Sequence, residues 1–171
     1  MVSHFFSAGL AAIGLLSLAD AAHAAALDPL LDGFERNCSY TEPLHALFQS
    51  SYLVARKEGP LVVPQGYEAA FGAPVTTQDG EYLRTVIPVV AGTWRGVPVR
   101  EFEIYITELA SDFVYHAVIF DRAAEDEAKA AFDRPLPPSG APSDTEDGAS
   151  GPMSGFGIFD GVPRYFCDLS G

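Results

Sequence analysis

The sequence predicts an α+β domain, and three observations carry that prediction. Residues 102–107 alternate between apolar and polar side chains, which indicates a β-strand with one buried and one solvated face. The dipeptide Asp160-Gly161 lies between two apolar runs, as is typical of a β-hairpin turn. Residues 123–132 follow Asp121, a good helix-capping residue, and carry acidic side chains in the first turns. Strands and helices in separate parts of one chain define the α+β class.

The predicted strands form one antiparallel sheet. Residues 82–90 and 113–120 are rich in β-branched and aromatic side chains, and they flank the alternating strand at 97–107. Short turns separate these three segments, so we predict a three-strand meander. Residues 156–159 and 162–169 are predicted to add a C-terminal hairpin to the same sheet.

Short helices are predicted before the strands. Asp28 followed by Pro29 is a typical N-cap and first helical residue, and it opens a segment that runs to Arg36. Thr41 and Pro43 mark a second helix start.

Two stretches are predicted to be loops. Residues 59–80 are rich in Pro, Gly, Thr and Gln, and only residues 61–63 suggest a short strand there. Residues 134–155 contain Pro, Gly, Ser and acidic side chains with few large apolar ones, which predicts a mobile loop within a single domain.

Residues 1–24 are predicted to be a signal peptide. An apolar run at 5–19 precedes an A-x-A cleavage pattern at 22–24, and a second match makes cleavage after Ala26 the alternative. An uncleaved anchor or a buried helix are the competing interpretations, but the apolar run is shorter than the roughly 20 residues that span a bilayer. We therefore expect a periplasmic or secreted protein, residues 27–171 forming one domain, with no stable membrane insertion after cleavage.

The two cysteines are predicted to form one disulfide bond. Cys38 and Cys167 are the only cysteines, and an oxidising compartment favours their pairing. A reactive thiol or a metal-ligand pair is the alternative, but the sequence lacks the C-x-x-C spacing that such sites use. A bridge enclosing about 130 residues would stabilise the fold by roughly 5 kcal/mol in the chain-entropy model.

Composition narrows the classes of partner. The chain has 23 acidic and 10 basic residues, for a net charge of −13. This excess argues against a nucleic-acid binder or an anionic-membrane binder, because both need a basic surface. The abundance of Ala, Gly and Pro, with only two lysines, is typical of a GC-rich bacterial genome. The partner is expected to be a protein or a small molecule of unknown identity.

The sequence predicts no catalytic residue, no metal site and no cofactor. It contains no local nucleophile, phosphate-binding or H-E-x-x-H motif. His45 and His116 are the histidines left after cleavage, and His116 is expected to be a structural core residue. A hydrolase that combines one of them with carboxylates from elsewhere is the first alternative function. A cation-binding protein that uses the acidic residues 144–148 is the second.

Five residues are predicted to form a binding surface. Glu101, Glu103 and Tyr105 share the solvated face of one strand, where they suit a basic partner. Trp94 and Arg95 occur at a turn and are residue types that commonly anchor interfaces, although a lone Trp also serves as a packing plug. The sequence thus predicts an exported, non-catalytic binding or interaction domain of the bacterial envelope.

Overall fold

The computed structural model describes residues 24–36, 38–107, 114–133 and 153–169. The predicted signal peptide up to residue 23 and the predicted loop between 134 and 152 lie outside these residues. The elements in chain order are β1 (Ala25–Ala26), α1 (Glu42–Arg56), β2 (Val75–Asp79), β3 (Tyr82–Pro88), β4 (Gly92–Trp94), β5 (Val97–Thr107), β6 (Val114–Phe120), α2 (Glu125–Phe132), β7 (Met153–Phe159) and β8 (Val162–Asp168). A 3-10 turn at Arg122–Ala124 leads into α2.

One mixed sheet of eight strands organises the fold, and with its two helices it confirms the predicted α+β class. Antiparallel pairing joins β3 to β5, β5 to β6, β6 to β8 and β8 to β7. The long strand β5 also pairs with β4 through its first residues, and β2 pairs with the outer side of β3. The short strand β1 runs parallel to β4.

Helix α1 begins where the sequence predicts the second helix start. The Thr41 hydroxyl accepts a hydrogen bond from the Leu44 N–H at 3.3 Å, and Pro43 occupies the first turn, where its missing N–H costs nothing. The helix ends at Arg56, because the following residue, Lys57, has a φ of 61° that stops the helical path. Leu44 is among the residues that α1 buries against the sheet.

The predicted first helix is wrong. Residues 28–36 form successive turns instead. The Asp28 carboxylate, expected to cap that helix, accepts a hydrogen bond from the Arg95 backbone N–H at 3.0 Å. A side chain that can cap a helix can accept a hydrogen bond from any free backbone N–H nearby. Here that N–H is in the turn between β4 and β5.

The loop predictions also need correction. β2 lies within the region 59–80, whereas residues 61–63 form no strand. The residues of β2 are mostly exposed, so its sequence lacks the alternation that identifies half-buried strands. β4 occupies part of a predicted turn, and β7 begins at Met153, so the end of the predicted 134–155 loop is a strand.

Both helices pack on the same face of the sheet and form the main core there. Phe48 of α1 contacts Phe102 of β5, and Phe132 of α2 contacts Phe120 of β6. This arrangement leaves the other face of the sheet without a helix among the described residues. No described helix is long and apolar enough to span a membrane.

The predicted disulfide is present between Cys38 and Cys167. Their Cα atoms are 5.6 Å apart, and both residues are buried. The bridge attaches the chain just before α1 to strand β8, across a sequence separation of 129 residues. The N-terminal turns are therefore fixed covalently to the sheet.

Candidate functional site

The face of the sheet opposite α1 and α2, here called the open face, carries the candidate site. Side chains alternate along a strand, so Phe102 and Ile104 of β5 enter the core while Glu101, Glu103 and Tyr105 lie on the open face. The structure therefore brings together these three predicted binding residues.

Glu103 is buried, which corrects the prediction of a solvated strand face. Its side chain is 4% exposed because arginines from two other strands close over it. Arg84 of β3 donates from Nε to Oε2 at 2.7 Å, and Arg164 of β8 donates from Nη1 to Oε1 at 3.0 Å. Arg84 and Arg164 lie 19 and 61 residues from Glu103 in the chain, so no local sequence pattern indicates this cluster.

Removing the charge of Glu103 is expected to destabilise the protein. Glu103→Gln keeps the side-chain shape but leaves two guanidinium groups without their shared carboxylate. Breaking a buried pair costs about 3–5 kcal/mol, and the partial exposure of both arginines lowers our expectation to about 2–3 kcal/mol. Urea unfolding at neutral pH measures the loss.

Glu101→Gln is the matched control for that experiment. Glu101 lies on the same strand face, but its close partner is the more exposed Arg100 at 2.8 Å, and it approaches Arg84 only to 4.0 Å. We expect this substitution to cost less than about 1 kcal/mol. Equal losses for the two variants would contradict the assignment of Glu103 as the centre of the cluster.

Five aromatic side chains form a continuous row across the open face, here called the aromatic strip. Ring centroids are 6.2 Å apart for Tyr82 and Tyr105, and 5.9 Å apart for Tyr105 and Tyr115. The row continues from Tyr115 to Phe166 at 6.1 Å and from Phe166 to Phe159 at 6.0 Å. These rings come from β3, β5, β6, β8 and β7, which are neighbours in that order.

One end of the aromatic strip contains an open cleft of about 740 Å³, here called the tyrosine cleft. Tyr105 is central, and its ring is inclined by 77° to Tyr82 and by 78° to Tyr115. The Tyr105 hydroxyl donates to Asp79 Oδ2 at 3.2 Å. The remaining lining comes from Gly80 and Glu81 of the β2–β3 turn and from the ion pair of Glu103 with Arg164.

A tyrosine hydroxyl with its ordinary pKa of about 10 is protonated at neutral pH, and the pKa values of the three cleft tyrosines are raised further. Burial is the main cause for Tyr105 and Tyr115. For Tyr82, the main cause is a hydrogen bond between its hydroxyl and the Glu81 carboxylate. Each hydroxyl can therefore donate a hydrogen bond, and each ring keeps the electron-rich face of a neutral phenol.

Trp94 lies in the core, away from the open face. It is 3% exposed, and its ring centroid is 4.6 Å from that of Phe132 and 5.9 Å from that of Phe34. This burial agrees with the packing alternative and removes Trp94 from the accessible binding surface.

Arg95 holds the β4–β5 hairpin against its neighbours. It has a φ of 52° and is followed by Gly96 at 77°, as expected for a tight two-residue hairpin turn. Its guanidinium pairs with Glu35 at 2.8 Å and donates to the Ala131 carbonyl at 2.9 Å. These contacts join the N-terminal turns to α2, so Arg95 has a structural role in this fold.

His116 is a core residue, as the sequence predicts. It is 1% exposed and stacks on Phe48 with ring centroids 4.0 Å apart. Nδ1 lies 2.7 Å from the Tyr40 hydroxyl, and Nε2 lies 2.6 Å from the Tyr52 hydroxyl. Burial, together with a smaller effect of the His45 charge, lowers the pKa of His116 to about 3.

No metal-binding cluster is present among the described residues, and neither of their histidines lines the tyrosine cleft. Both nitrogens of His116 already have partners, and His45 is exposed on α1. No set of three or more His, Cys, Asp or Glu side chains in the described segments is placed to hold a metal ion. The acidic residues 144–148 lie outside those segments.

Fold and site together define a sheet domain with a helix-covered face and an open face that is aromatic and charged. Comparison with family models, curated proteins and solved structures finds no match to this chain. The open face is therefore the main structural evidence for what this protein binds.

Proposed function

We propose that this protein is an exported, non-catalytic binding domain that holds a basic partner on its open face. The observation that carries the proposal is the aromatic strip, which presents large rigid rings from five strands on a face that no described helix covers. Tyrosine is enriched at binding surfaces because it supplies wide apolar contact and one hydrogen-bonding group.

Charge favours a basic partner. Asp79 and Glu81 are exposed beside the strip, and Asp160 is exposed at the β7–β8 turn. The charges of Arg84 and Arg164 are partly balanced by the buried Glu103. With a net charge of −13, the whole chain attracts a cationic partner over distance.

The disulfide and the first strand support export. A structural disulfide is typical of proteins in oxidising compartments. Cleavage after Ala24 would retain β1, in which the Ala25 N–H donates to the Ala91 carbonyl at 3.0 Å. Cleavage after Ala26 would remove that strand, so we favour the first position.

We favour binding over the hydrolase alternative because of the surroundings of His116. To act on a substrate, this side chain would have to leave two hydrogen bonds and a stacked position in the core. The open face needs no such rearrangement to contact a partner.

An NMR titration of the purified exported protein with a short oligolysine tests the proposed surface. We expect the amide shifts to concentrate on β3, β5, β6 and β8, and to weaken at high salt because the attraction is electrostatic. An oligoglutamate of equal length is the matched probe and should produce no such shifts. Shifts spread evenly over all acidic surfaces, or absent from the open face, would overturn the proposal.

A further inference from the structure

We infer that the tyrosine cleft binds a single guanidinium or alkylammonium group of the basic partner. This inference rests on the proposed function and names the chemistry of its central contact. The site consists of the ring of Tyr105, the flanking rings of Tyr82 and Tyr115, and the carboxylates of Asp79 and Glu81.

The aromatic geometry suits an organic cation. Tyr105 meets both neighbouring rings nearly at right angles, at centroid distances of 6.2 and 5.9 Å. A cation within about 6 Å of a tyrosine ring is attracted by the negative charge density of its face. A group seated over Tyr105 would approach more than one ring, because the rings are adjacent and differently oriented.

The carboxylates of Asp79 and Glu81 line the cleft at the β2–β3 turn, where their negative charge would balance the positive charge of a bound cation. Asp79 accepts one hydrogen bond from Tyr105 at 3.2 Å, which leaves further acceptor positions on its two oxygens. Within the described residues, neither Asp79 nor Glu81 forms an ion pair. Two positive charges are already nearby, because Arg84 lies opposite Tyr105 and Arg164 lines the cleft. Glu103 pairs with both arginines, so a bound cation is expected to sit away from them, beside the β2–β3 turn.

A metal ion fits this cleft less well than an organic cation does. Calcium and magnesium require several oxygen ligands converging on one point. No described group of three or more potential ligands is arranged in that way. A guanidinium or ammonium group suits this cleft better. It can form cation–π contacts with the three rings and ion pairs with the two carboxylates at the edge.

Two peptides that differ only in charge test the inference. The first is a blocked glycine peptide with one central arginine, and the second carries citrulline, the neutral isostere, at that position. The readout is the NMR shift of the ring protons of Tyr82, Tyr105 and Tyr115. We expect the arginine peptide to bind roughly tenfold more tightly and to shift these rings.

Variants of the cleft should weaken binding of the arginine peptide. We expect Tyr105→Ala to weaken it by roughly tenfold and Asp79→Asn by several-fold, whereas Tyr105→Phe retains most of the affinity because the ring remains. Asp126→Asn removes the same charge from an exposed position on α2 and should leave binding unchanged. Tyr82→Ala serves as the second ring variant if circular dichroism finds Tyr105→Ala misfolded.

The outcomes separate this inference from the proposed function. Equal binding of the arginine and citrulline peptides, while oligolysine still shifts the open face, would overturn the cation subsite alone. Ring shifts with a neutral oligosaccharide but not with the arginine peptide would also overturn it. Failure of every cationic probe to shift the open face would overturn both proposals.

Discussion

Replacing Cys38 and Cys167 together by alanine is expected to lower the free energy of unfolding by up to about 5 kcal/mol. The bridge closes a separation of 129 residues, and cross-linking such a long loop removes much of the conformational entropy of the unfolded chain. The folded state contributes as well, because the bridge anchors the N-terminal turns to β8 inside the core. Urea unfolding of the oxidised wild type and the double variant measures the difference.

Reductant provides the control for the disulfide. The fully reduced wild type should approach the stability of the double variant, and the double variant itself should not respond to reductant. Cys167 is 0% exposed, so we expect reduction of the native protein to be slow and to accelerate in denaturant. Identical stabilities of the oxidised wild type and the double variant would contradict a stabilising bridge.

Acidification from pH 6.5 towards pH 3 is expected to destabilise the protein through His116. The native pKa is lowered from 6.5 to about 3, so between these values the unfolded state binds a proton that the folded state does not. The free energy of unfolding therefore rises with pH in this window, and the stability is lost as the pH falls. At about 1.4 kcal/mol per pKa unit, the full loss is up to roughly 5 kcal/mol.

His116→Gln isolates this contribution from that of the carboxylates. The variant retains hydrogen-bonding groups near Tyr40 and Tyr52 but cannot titrate, so the pH dependence of its unfolding should be shallower by about one proton. His45→Gln, an exposed site on α1, is the matched control and should keep nearly all of the wild-type slope. The same slope in His116→Gln and wild type would exclude His116 as its source.

The ion cluster and the proposed ligand site are physically connected. Arg164 pairs with Glu103, and both side chains line the tyrosine cleft beside Tyr115. Arg84 pairs with Glu103 from the strand that carries Tyr82. The buried cluster thus fixes the strands from which the cleft is built, and this is a reason for a protein to keep a charge that is costly to bury.

Regular periodicity is the part of this fold that the sequence predicts well. Alternation along β5, the Asp160-Gly161 turn and the capped start of α1 are local signals, and the structure has elements at each position. The sequence does not predict β2 and β4, because an exposed strand and a three-residue strand carry no such period. The helix predicted to begin at Asp28 is absent. The Asp28 carboxylate instead accepts a hydrogen bond from the backbone N–H of Arg95, which is 67 residues away.

The candidate site was predictable only in part. Glu103 and Tyr105 are two residues apart on one strand, so the sequence alone indicates that they share a face of the sheet. The sequence does not indicate that Arg84 and Arg164 bury Glu103, or that Tyr115 lies directly opposite Tyr105, since both depend on strand register. Trp94 is a core residue because its side chain lies on the helix-covered face, where it packs against Phe132 of α2.

The α+β class, the pairing of the two cysteines and the strong negative charge follow from the amino-acid sequence alone, because each depends on composition or on contacts between near neighbours. Which side chains meet on the open face depends instead on how the strands pair in three dimensions. Antiparallel pairing brings together residues that are far apart in the chain, and the register of each pair sets which rings and charges become neighbours. The tyrosine cleft exists only because β3, β5 and β6 align in that register.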